Sequence, residues 1–330
     1  MHSKPKLLIA DSASGKFLQR VLDRVDKNSF EISYPETENE DSLIELAENV
    51  DAILCYQANI SHKVISNSKS LKFIQKHGLN CKNIDLDSAR KKKITISTQT
   101  LLRNVTVAEQ AFSLIIACAR KLIPGHESVK NAVYLQKGIE PIKTSQWNIR
   151  PNWPNLEGIS EVYGSSVGII GLGDIGMEIA ARCNAFGMDI YYYQRTRHNS
   201  ETETIYSATF ATFDDLIQKV DYLVLVIPHT KETEGLIGER ELSLMKKSAT
   251  LINVGRGGLI KETNLIEALQ KKEIKMAGLD VYETEPLPQS SPLIDLDNVV
   301  LLPHTGAGSN KHWDIDISAS LEKIKYFFNN

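Results

Sequence analysis

The stretch Val167–Arg197, VGIIGLGDIGMEIAARCNAFGMDIYYYQRTR, decides the fold. An apolar run of strand length leads into a turn with the pattern G-x-G-x-x-G. Apolar residues at helical spacing follow, and then a second apolar run from Ile190 to Tyr193. Because the glycine motif stands between a strand and a helix, it predicts a β-turn-α-β unit that binds a dinucleotide.

Each glycine of this turn has a predicted role. Gly171 permits the tight turn, Gly173 lets the backbone approach a pyrophosphate, and Gly176 lets the helix pack closely on the strand. Asp174 and Ile175 open the helix, whose free N–H groups and positive dipole end would face the diphosphate. We expect these five residues to bind the cofactor.

The end of the second strand departs from the NAD pattern. Gln194 stands where an NAD-binding unit usually has a carboxylate for the adenosine ribose, and Arg195, Thr196 and Arg197 follow it. Arginine grips phosphate with paired hydrogen bonds, so this segment predicts a preference for NADP(H) through its 2′-phosphate. The alternative is a solvated basic turn that also accepts NAD(H).

Composition limits the possible classes of protein. The chain has 330 residues, of which 42% are hydrophobic and 24% charged, enough for two domains with real cores. A net charge of −3 gives no reason to expect a nucleic-acid or membrane partner. We find no signal sequence or transmembrane stretch and expect a cytoplasmic protein. The cysteines and histidines show no metal-binding spacing, so we expect no metal.

Short apolar segments alternate with helical segments along the chain and predict an α/β fold with two parallel sheets. In the first lobe the predicted strands are Leu7–Ala10, Ile32–Tyr34, Ala52–Cys55, Phe73–Lys76 and Ile94–Ser97. The segment 106–122 predicts a helix that is apolar nearly all round, buried between lobes or at a subunit contact. An irregular polar segment with Trp147 and Trp153, interpreted as packing anchors, follows it.

Three polar residues follow predicted strands in the second half. Arg256, Glu285 and His304 lie in loops at strand ends, where ligands gather in open parallel sheets. Arginine suits a carboxylate or a carbonyl being reduced, and histidine can pass one proton near neutral pH. A glutamate beside the histidine would orient its ring and favour its charged form. Reduction of a ketone by hydride needs a proton for the new alkoxide, and a His–Glu pair beside an arginine supplies this chemistry.

The strings GIIGLGDIG, INVGRGGLI, GLDVYETEPLP and LLPHTGAGS resemble the signature segments of the D-isomer-specific 2-hydroxyacid dehydrogenases. The resemblance implies two Rossmann-like or flavodoxin-like domains with a cleft between them. Residues 1–102 plus 305–330 would bind the substrate, and residues 103–304 would bind NAD(P). In this family Arg256 would bind the substrate carboxylate and polarise its 2-oxo group, His304 would be the acid or base, and Glu285 would hold His304.

The resemblance also implies further binding residues. Those placed along the cofactor are Ile227, Pro228, Thr233, Val254, Gly255, Asp280 and Gly306. Leu79 and Asn80 match a loop whose backbone amides meet the substrate carboxylate. Tyr56, Gln57 and Arg103, with Trp147 as a further candidate, are expected to border the substrate pocket. Cys55–Ala58 lacks the arginine of a phosphoglycerate enzyme, which favours a neutral substrate side chain.

The predicted function is NADPH-preferring, reversible reduction of a 2-oxo acid such as glyoxylate or hydroxypyruvate, or a larger one, to the D-2-hydroxy acid. Two alternatives remain open: a nucleotide-sensing protein like the family's corepressor relatives, and a phosphoglycerate dehydrogenase. The resemblance implies a homodimer, since members of this family usually form dimers, and the apolar helix also suggests one.

Overall fold

The computed structural model describes residues 4–13, 15–37, 39–308 and 311–329. The chain divides into two compact units, Met1–Val105 with Gly308–Asn330, and Thr106–Ala307. Each unit contains one parallel β-sheet with helices in its connections. The predicted α/β class with two parallel sheets is confirmed.

The first unit contains a sheet of five parallel strands in the order β2-β1-β3-β4-β5. Its strands are β1 (Lys6–Ile9), β2 (Glu31–Ser33), β3 (Ala52–Cys55), β4 (Phe73–Lys76) and β5 (Thr95–Ser97). This order is that of the flavodoxin-like folds. All five strands were predicted: β3 and β4 match at both ends, and the other three differ by one residue at one or both ends.

The second unit contains seven parallel strands in the order β12-β11-β10-β9-β6-β7-β8. They are β6 (Ser166–Ile170), β7 (Asp189–Tyr193), β8 (Ala208–Phe210), β9 (Tyr222–Leu225), β10 (Thr250–Asn253), β11 (Met276–Leu279) and β12 (Val299–Leu301). The order reverses between β6 and β9, as in dinucleotide-binding sheets. That switch point is where such sheets bind their ligands.

The helices connect the strands and cover the sheets. They are α1 (Lys16–Leu22), α2 (Glu40–Leu46), α3 (His62–Asn67), α4 (Leu86–Lys91), α5 (Leu102–Ala119), α6 (Leu122–Lys130), α7 (Val133–Gln136), α8 (Asp174–Ala185), α9 (Ser200–Ile205), α10 (Phe213–Lys219), α11 (Glu239–Leu244), α12 (Glu262–Gln270) and α13 (Lys311–Asn329). The described residues contain no helix with the length and hydropathy needed to cross a bilayer.

The long apolar helix is α5, which begins four residues earlier than predicted. Leu114 and Cys118, both fully buried, lie next to Gly278 on β11. The helix therefore packs in the core of the second unit. The sequence predicts burial of this helix between lobes or at a subunit contact, and packing within the second unit is sufficient to explain the burial.

Two helices after α5 were not predicted. Neither α6 nor α7 buries a side chain, so the sequence has no apolar stripe there to reveal a helix. Trp153 packs edge-on against Tyr134 of α7, as expected of a packing anchor. Trp147 is 89% exposed and forms no ring contact with another described residue, so the anchor interpretation is wrong for it within the described part of the chain.

Candidate active site

The glycine-rich turn follows β6 at the switch point of the seven-stranded sheet. Gly171 has a φ of 103°, and a Cβ there would lie 2.5 Å from Cγ2 of Ile227. A Cβ on Gly176 would lie 2.1 Å from the carbonyl oxygen of Gly171. A Cβ on Gly173 would meet nothing within 4 Å. The turn therefore leaves open space in front of α8, where a pyrophosphate could approach the helix N-terminus.

The turn that carries Arg256 follows β10 and is fixed by Asn253. The buried Asn253 amide donates to the carbonyl of Arg256 at 2.9 Å and accepts from the N–H of Gly255 at 3.1 Å. A Cβ on Gly257 would lie 1.8 Å from the carbonyl oxygen of Tyr282. The loop after β11 therefore lies directly against the Arg256 turn.

Asp280 holds the turn that carries His304. Its carboxylate is almost fully buried and accepts hydrogen bonds from the backbone N–H groups of Thr305, at 3.0 Å, and Gly306, at 2.8 Å. Gln110 on α5 donates to Asp280 at 2.9 Å and to the Thr305 hydroxyl at 3.0 Å. His304 itself has a φ of 53°, a left-handed conformation that costs a non-glycine residue on the order of 1 kcal/mol. These hydrogen bonds stabilise that conformation.

Glu285 and His304 form a close pair. Nδ1 of His304 lies 2.6 Å from Oε2 of Glu285, and the other carboxylate oxygen accepts from the N–H of Tyr282 at 3.1 Å. With its proton on Nδ1, the ring donates to the carboxylate and leaves Nε2 for chemistry. The predicted pair is therefore brought together.

Burial alone would raise the pKa of Glu285. The hydrogen bonds from His304 and from the Tyr282 backbone outweigh burial, and with the charges of His304 and Arg256 they lower the pKa below its ordinary value of 4.5. Glu285 is therefore a stable anion beside the imidazole.

A pocket of about 770 Å³ is lined by Arg256, Glu285 and His304 together. His229, Lys261 and Tyr282 form other parts of its wall. Burial raises the pKa of the Tyr282 phenol to about 12, and its hydroxyl donates to the carbonyl of Leu302 at 2.9 Å. Tyr282 therefore contributes structure to this wall and no proton.

The loop after β9 contains three predicted cofactor residues. Ile227 lies beside the glycine turn, and Pro228 follows it. The hydroxyl of Thr233 donates to the carbonyl of Pro228 at 2.8 Å and accepts from the N–H of Thr230 at 2.8 Å, which closes the loop. Val254 is buried at the end of β10. These residues lie at the same edge of the sheet as the glycine turn.

The two arginines of the basic segment after β7 differ in their contacts. Arg197 donates through two nitrogens to the carboxylate of Glu203, at 2.8 Å each. The Tyr192 hydroxyl donates to the same carboxylate at 2.7 Å. Arg195 is exposed and forms no ion pair with the described residues. Gln194 donates to the carbonyl of Thr196 at 2.6 Å.

Four of the predicted substrate residues lie in the first unit, Tyr56 and Gln57 after β3 and Leu79 and Asn80 after β4, whereas Arg256 belongs to the second unit. Asp11 accepts from the N–H groups of Tyr56, at 2.6 Å, and Gln57, at 2.7 Å, and thereby shapes the loop after β3. Leu79 is partly exposed, and the Asn80 side chain accepts from the N–H of Lys82 at 3.0 Å. Within the described residues no group of three or more His, Cys, Asp or Glu side chains could hold a metal.

Comparison with known proteins decides the family. Residues 112–306 match the model of the D-isomer specific 2-hydroxyacid dehydrogenase NAD binding domain. The chain belongs to this family. It is 35% identical over 310 residues to a glyoxylate reductase of Pyrococcus horikoshii, covering 93% of this chain and 87% of that protein. It is 39% identical to glyoxylate/hydroxypyruvate reductase B of an Enterobacter species, covering 69% of this chain and 66% of that protein.

Solved structures agree with this assignment. The NADPH-dependent glyoxylate/hydroxypyruvate reductase of Sinorhizobium meliloti, in complex with NADP and malonate, aligns with a TM-score of 0.56 and 27% identity over 99% of this chain and 94% of that one. The protein is therefore an NAD(P)-dependent oxidoreductase that reduces 2-oxo acids. The predictions of family, enzyme class and nicotinamide cofactor are confirmed.

Sequence reasoning missed the residues that position the dehydrogenase side chains. The side chain of Gln110 contacts the turn that carries His304. The side chain of Asn253 contacts the turn that carries Arg256. The side chain of Glu203 binds Arg197. Only Asn253 carried a signal, since it is a buried amide at a strand end within INVGRGGLI. The partners of Gln110 lie 170 and 195 residues away along the chain, beyond any local pattern.

Proposed function

We propose that this dehydrogenase reduces a small 2-oxo acid of the glyoxylate or hydroxypyruvate type to the D-2-hydroxy acid, with NADPH preferred to NADH. The observation that carries the proposal is the 2.6 Å contact between Nδ1 of His304 and Oε2 of Glu285, in a pocket also lined by Arg256. The two relatives described above, named as reductases of these acids, support the choice of substrate.

His304 is the proposed proton donor. In its charged form it keeps one proton on Nδ1, shared with Glu285, and delivers the other from Nε2 to the oxygen of the 2-oxo group. Because the pKa of Glu285 is lowered, the carboxylate keeps its negative charge and stabilises the imidazolium before transfer. In the oxidative direction the neutral ring accepts the hydroxyl proton at Nε2.

Arg256 is the proposed anchor of the 2-oxo acid. Its planar guanidinium can hydrogen bond to a carboxylate oxygen and to the carbonyl oxygen at once, which an ammonium cannot do in the same geometry. The charge also stabilises the negative charge that develops on the carbonyl oxygen during reduction. The backbone amides of Leu79 and Asn80 are also proposed to bind the carboxylate.

The second unit is proposed to hold the cofactor. The open space before Gly173 and the N-terminus of α8 suit a pyrophosphate, and Ile227, Pro228, Thr233, Val254 and Gly255 surround the same sheet edge. When bound, the reduced nicotinamide supplies the hydride that the 2-oxo carbon takes up. Asp280 and Gly306 act on this site through the His304 turn.

The NADPH preference rests on Arg195. Arg197 is held by Glu203, so Arg195 is the guanidinium that can turn toward a 2′-phosphate, and no carboxylate occupies position 194 to repel it. We expect Arg195→Gln to lower the ratio of kcat/KM for NADPH to that for NADH at least tenfold. Arg240→Gln, which removes an exposed charge elsewhere in the second unit, is the control. A wild-type preference for NADH would contradict this part of the proposal.

The function itself is tested with purified protein, both reduced cofactors and a panel of 2-oxo acids, following the loss of reduced-nicotinamide absorbance. We expect turnover of glyoxylate or hydroxypyruvate, and the product of hydroxypyruvate should be D-glycerate, whereas the glycolate formed from glyoxylate has no stereocentre. Tight cofactor binding without turnover of any 2-oxo acid would reject the proposed substrate class.

A further inference from the structure

One side-chain cluster of the first unit is not used by the function above. Arg103, from the first turn of α5, donates to the hydroxyl of Tyr56 at the end of β3. Its guanidinium carbon lies 5.2 Å from the centre of the Tyr56 ring and 5.0 Å from that of Trp313 on α13. Three distant segments thus place one cation between two aromatic rings beside the loop that was predicted to border the substrate.

We propose that Arg103 and the Tyr56 hydroxyl bind a second carboxylate on the substrate, so that the protein favours 2-oxo dicarboxylic acids. This inference rests on the proposed function, and it revises the sequence-based expectation of a neutral substrate side chain. That expectation considered only Cys55–Ala58, whereas Arg103 reaches Tyr56 from 47 residues along the chain.

The donors of this cluster converge. The Tyr56 oxygen accepts a hydrogen bond from Arg103, so its own proton can be donated to another oxygen. A guanidinium N–H and a phenol O–H that meet at one place match the two oxygens of a carboxylate. A phosphate offers three oxygens and a second charge, for which one guanidinium and one hydroxyl are a poorer match.

Two cations lie near the Tyr56 ring. Lys76, largely buried at the end of β4, donates to the Tyr56 carbonyl and lies 5.6 Å from its ring. His77 adds no charge, since burial, with the charges of Arg103 and Lys76, lowers its pKa to about 3. Two carboxylates also lie nearby: Asp11 accepts from the N–H of Tyr56, and Asp316 accepts from the N–H of Leu102 and interacts electrostatically with Arg103.

Tyr56 and the loop with Leu79 and Asn80 begin at the carboxyl ends of adjacent strands, since Cys55 and Lys76 are paired across β3 and β4. Adjacent strands lie about 4.8 Å apart. The loop proposed to bind the first carboxylate and the strand that leads to Tyr56 are therefore neighbours, and substrates of two lengths test the span between them.

The test compares matched substrates that differ only in a terminal carboxylate or methyl group. The pairs are 2-oxoglutarate with 2-oxopentanoate, and oxaloacetate with 2-oxobutanoate, at saturating NADPH. For at least one pair, we expect wild-type kcat/KM to favour the dicarboxylate at least tenfold, the size of one charge-assisted hydrogen bond. Arg103→Met should lower this ratio at least tenfold, and Tyr56→Phe, which keeps the ring, should lower it several-fold.

Arg20→Met is the matched control. Arg20 also lies over the Trp313 ring, at 5.4 Å, but it is paired with Asp314 and has no recorded contact with the Tyr56 hydroxyl. This variant should keep the wild-type ratio. Equal wild-type turnover within both pairs, or an unchanged ratio in Arg103→Met and Tyr56→Phe, would overturn the proposal. A tenfold preference for 3-phosphooxypyruvate over both dicarboxylates would overturn the assignment to a carboxylate.

A binding measurement separates this inference from the proposed function. The Kd of D-2-hydroxyglutarate for the protein with bound NADP is read from thermal shift titrations of wild type and Arg103→Met. If Arg103→Met binds D-2-hydroxyglutarate more weakly than wild type does, and wild type turns over no 2-oxo acid, the proposed carboxylate site is supported and the proposed function is contradicted. If wild type turns over glyoxylate but has equal kcat/KM for the dicarboxylate and the monocarboxylate of each pair, the proposed function is supported and the proposed carboxylate site is contradicted.

Discussion

At the residue scale, the geometry of the proton donor depends on a side chain that touches no reacting atom. Asp280 accepts the N–H groups of Thr305 and Gly306, the two residues that follow the left-handed His304. Asp280 is thus a positioning residue, and its carboxylate compensates the cost of the unusual backbone conformation.

We predict that Asp280→Asn lowers kcat at least tenfold with a smaller change in KM for the 2-oxo acid. The amide can accept at only one of its two positions, so one backbone N–H loses its partner and the His304 turn relaxes. Steady-state kinetics across pH measures the effect. Asp297→Asn, a change at an exposed site before β12, is the control. A wild-type kcat in Asp280→Asn would show that the turn carrying His304 keeps its conformation without the Asp280 carboxylate.

Glu203 provides a pH-dependent contribution to stability. The hydrogen bonds from Arg197 and Tyr192 lower its pKa from 4.5 to about 2. A carboxyl group with a depressed pKa stabilises the fold fully above its unfolded value and loses that contribution as pH falls through the folded value. The stabilisation should therefore disappear between about pH 4.5 and pH 2.

We predict that Glu203→Gln has a lower free energy of unfolding than wild type at pH 7 and that the difference shrinks as pH falls toward 3. Urea unfolding at several pH values measures it. Glu201→Gln, a change at an exposed position of the same helix, should show a small difference with little pH dependence. If the difference in free energy of unfolding between wild type and Glu203→Gln stays constant with pH, the proposed role of the ionised carboxylate is contradicted.

At the element scale, the strands were predictable because parallel sheets bury both faces and leave continuous apolar runs in the sequence. The β6-turn-α8 unit was predictable for the same reason, together with its glycine spacing. The short helix α6 was not, because Leu122, Ile123 and Val129 remain half or more exposed there and give no amphipathic signal. The positions of Arg256, Glu285 and His304 at strand ends followed from sequence, whereas the pairing of Arg197 with Glu203 did not.

Two glycines of the turn between β6 and α8 have different predicted roles, one in the stability of the fold and one in cofactor binding. At Gly176 an added Cβ would lie 2.1 Å from backbone, whereas at Gly173 it would enter open space. We predict that Gly176→Ala lowers the melting temperature by several degrees, because the helix must shift. Gly173→Ala should keep the melting temperature and weaken NADPH binding at least tenfold. Calorimetry and cofactor titration test both, and equal effects of the two variants on stability would contradict the assignment.

At the scale of the whole molecule, exposed apolar side chains cluster in the segment after α5. Val129, Leu135, Trp147 and Ile149 are each more than 60% exposed. Large apolar side chains exposed close together along the chain are candidates for an interaction site. The segment is therefore the proposed contact between two copies of the chain.

We predict a homodimer at micromolar concentration, measured by sedimentation equilibrium. Replacing Leu135 and Trp147 together with serine should shift the equilibrium toward monomer, because both lose apolar area. The same double change at Ile205 and Tyr326, exposed elsewhere, should leave the dimer intact. A monomeric wild-type protein would contradict the prediction.

The division of the chain has a consequence for biosynthesis. Residues 106–307 form a continuous unit, whereas the core around Leu7 and Ile9 is completed by Ile317 and Ile324 of α13. Domains generally fold as units while the ribosome still holds the chain. The central segment can therefore become protease-resistant on the ribosome, while the amino-terminal hundred residues must wait for α13 to emerge. A nascent chain halted before position 311 should accordingly leave its earliest-made part unprotected.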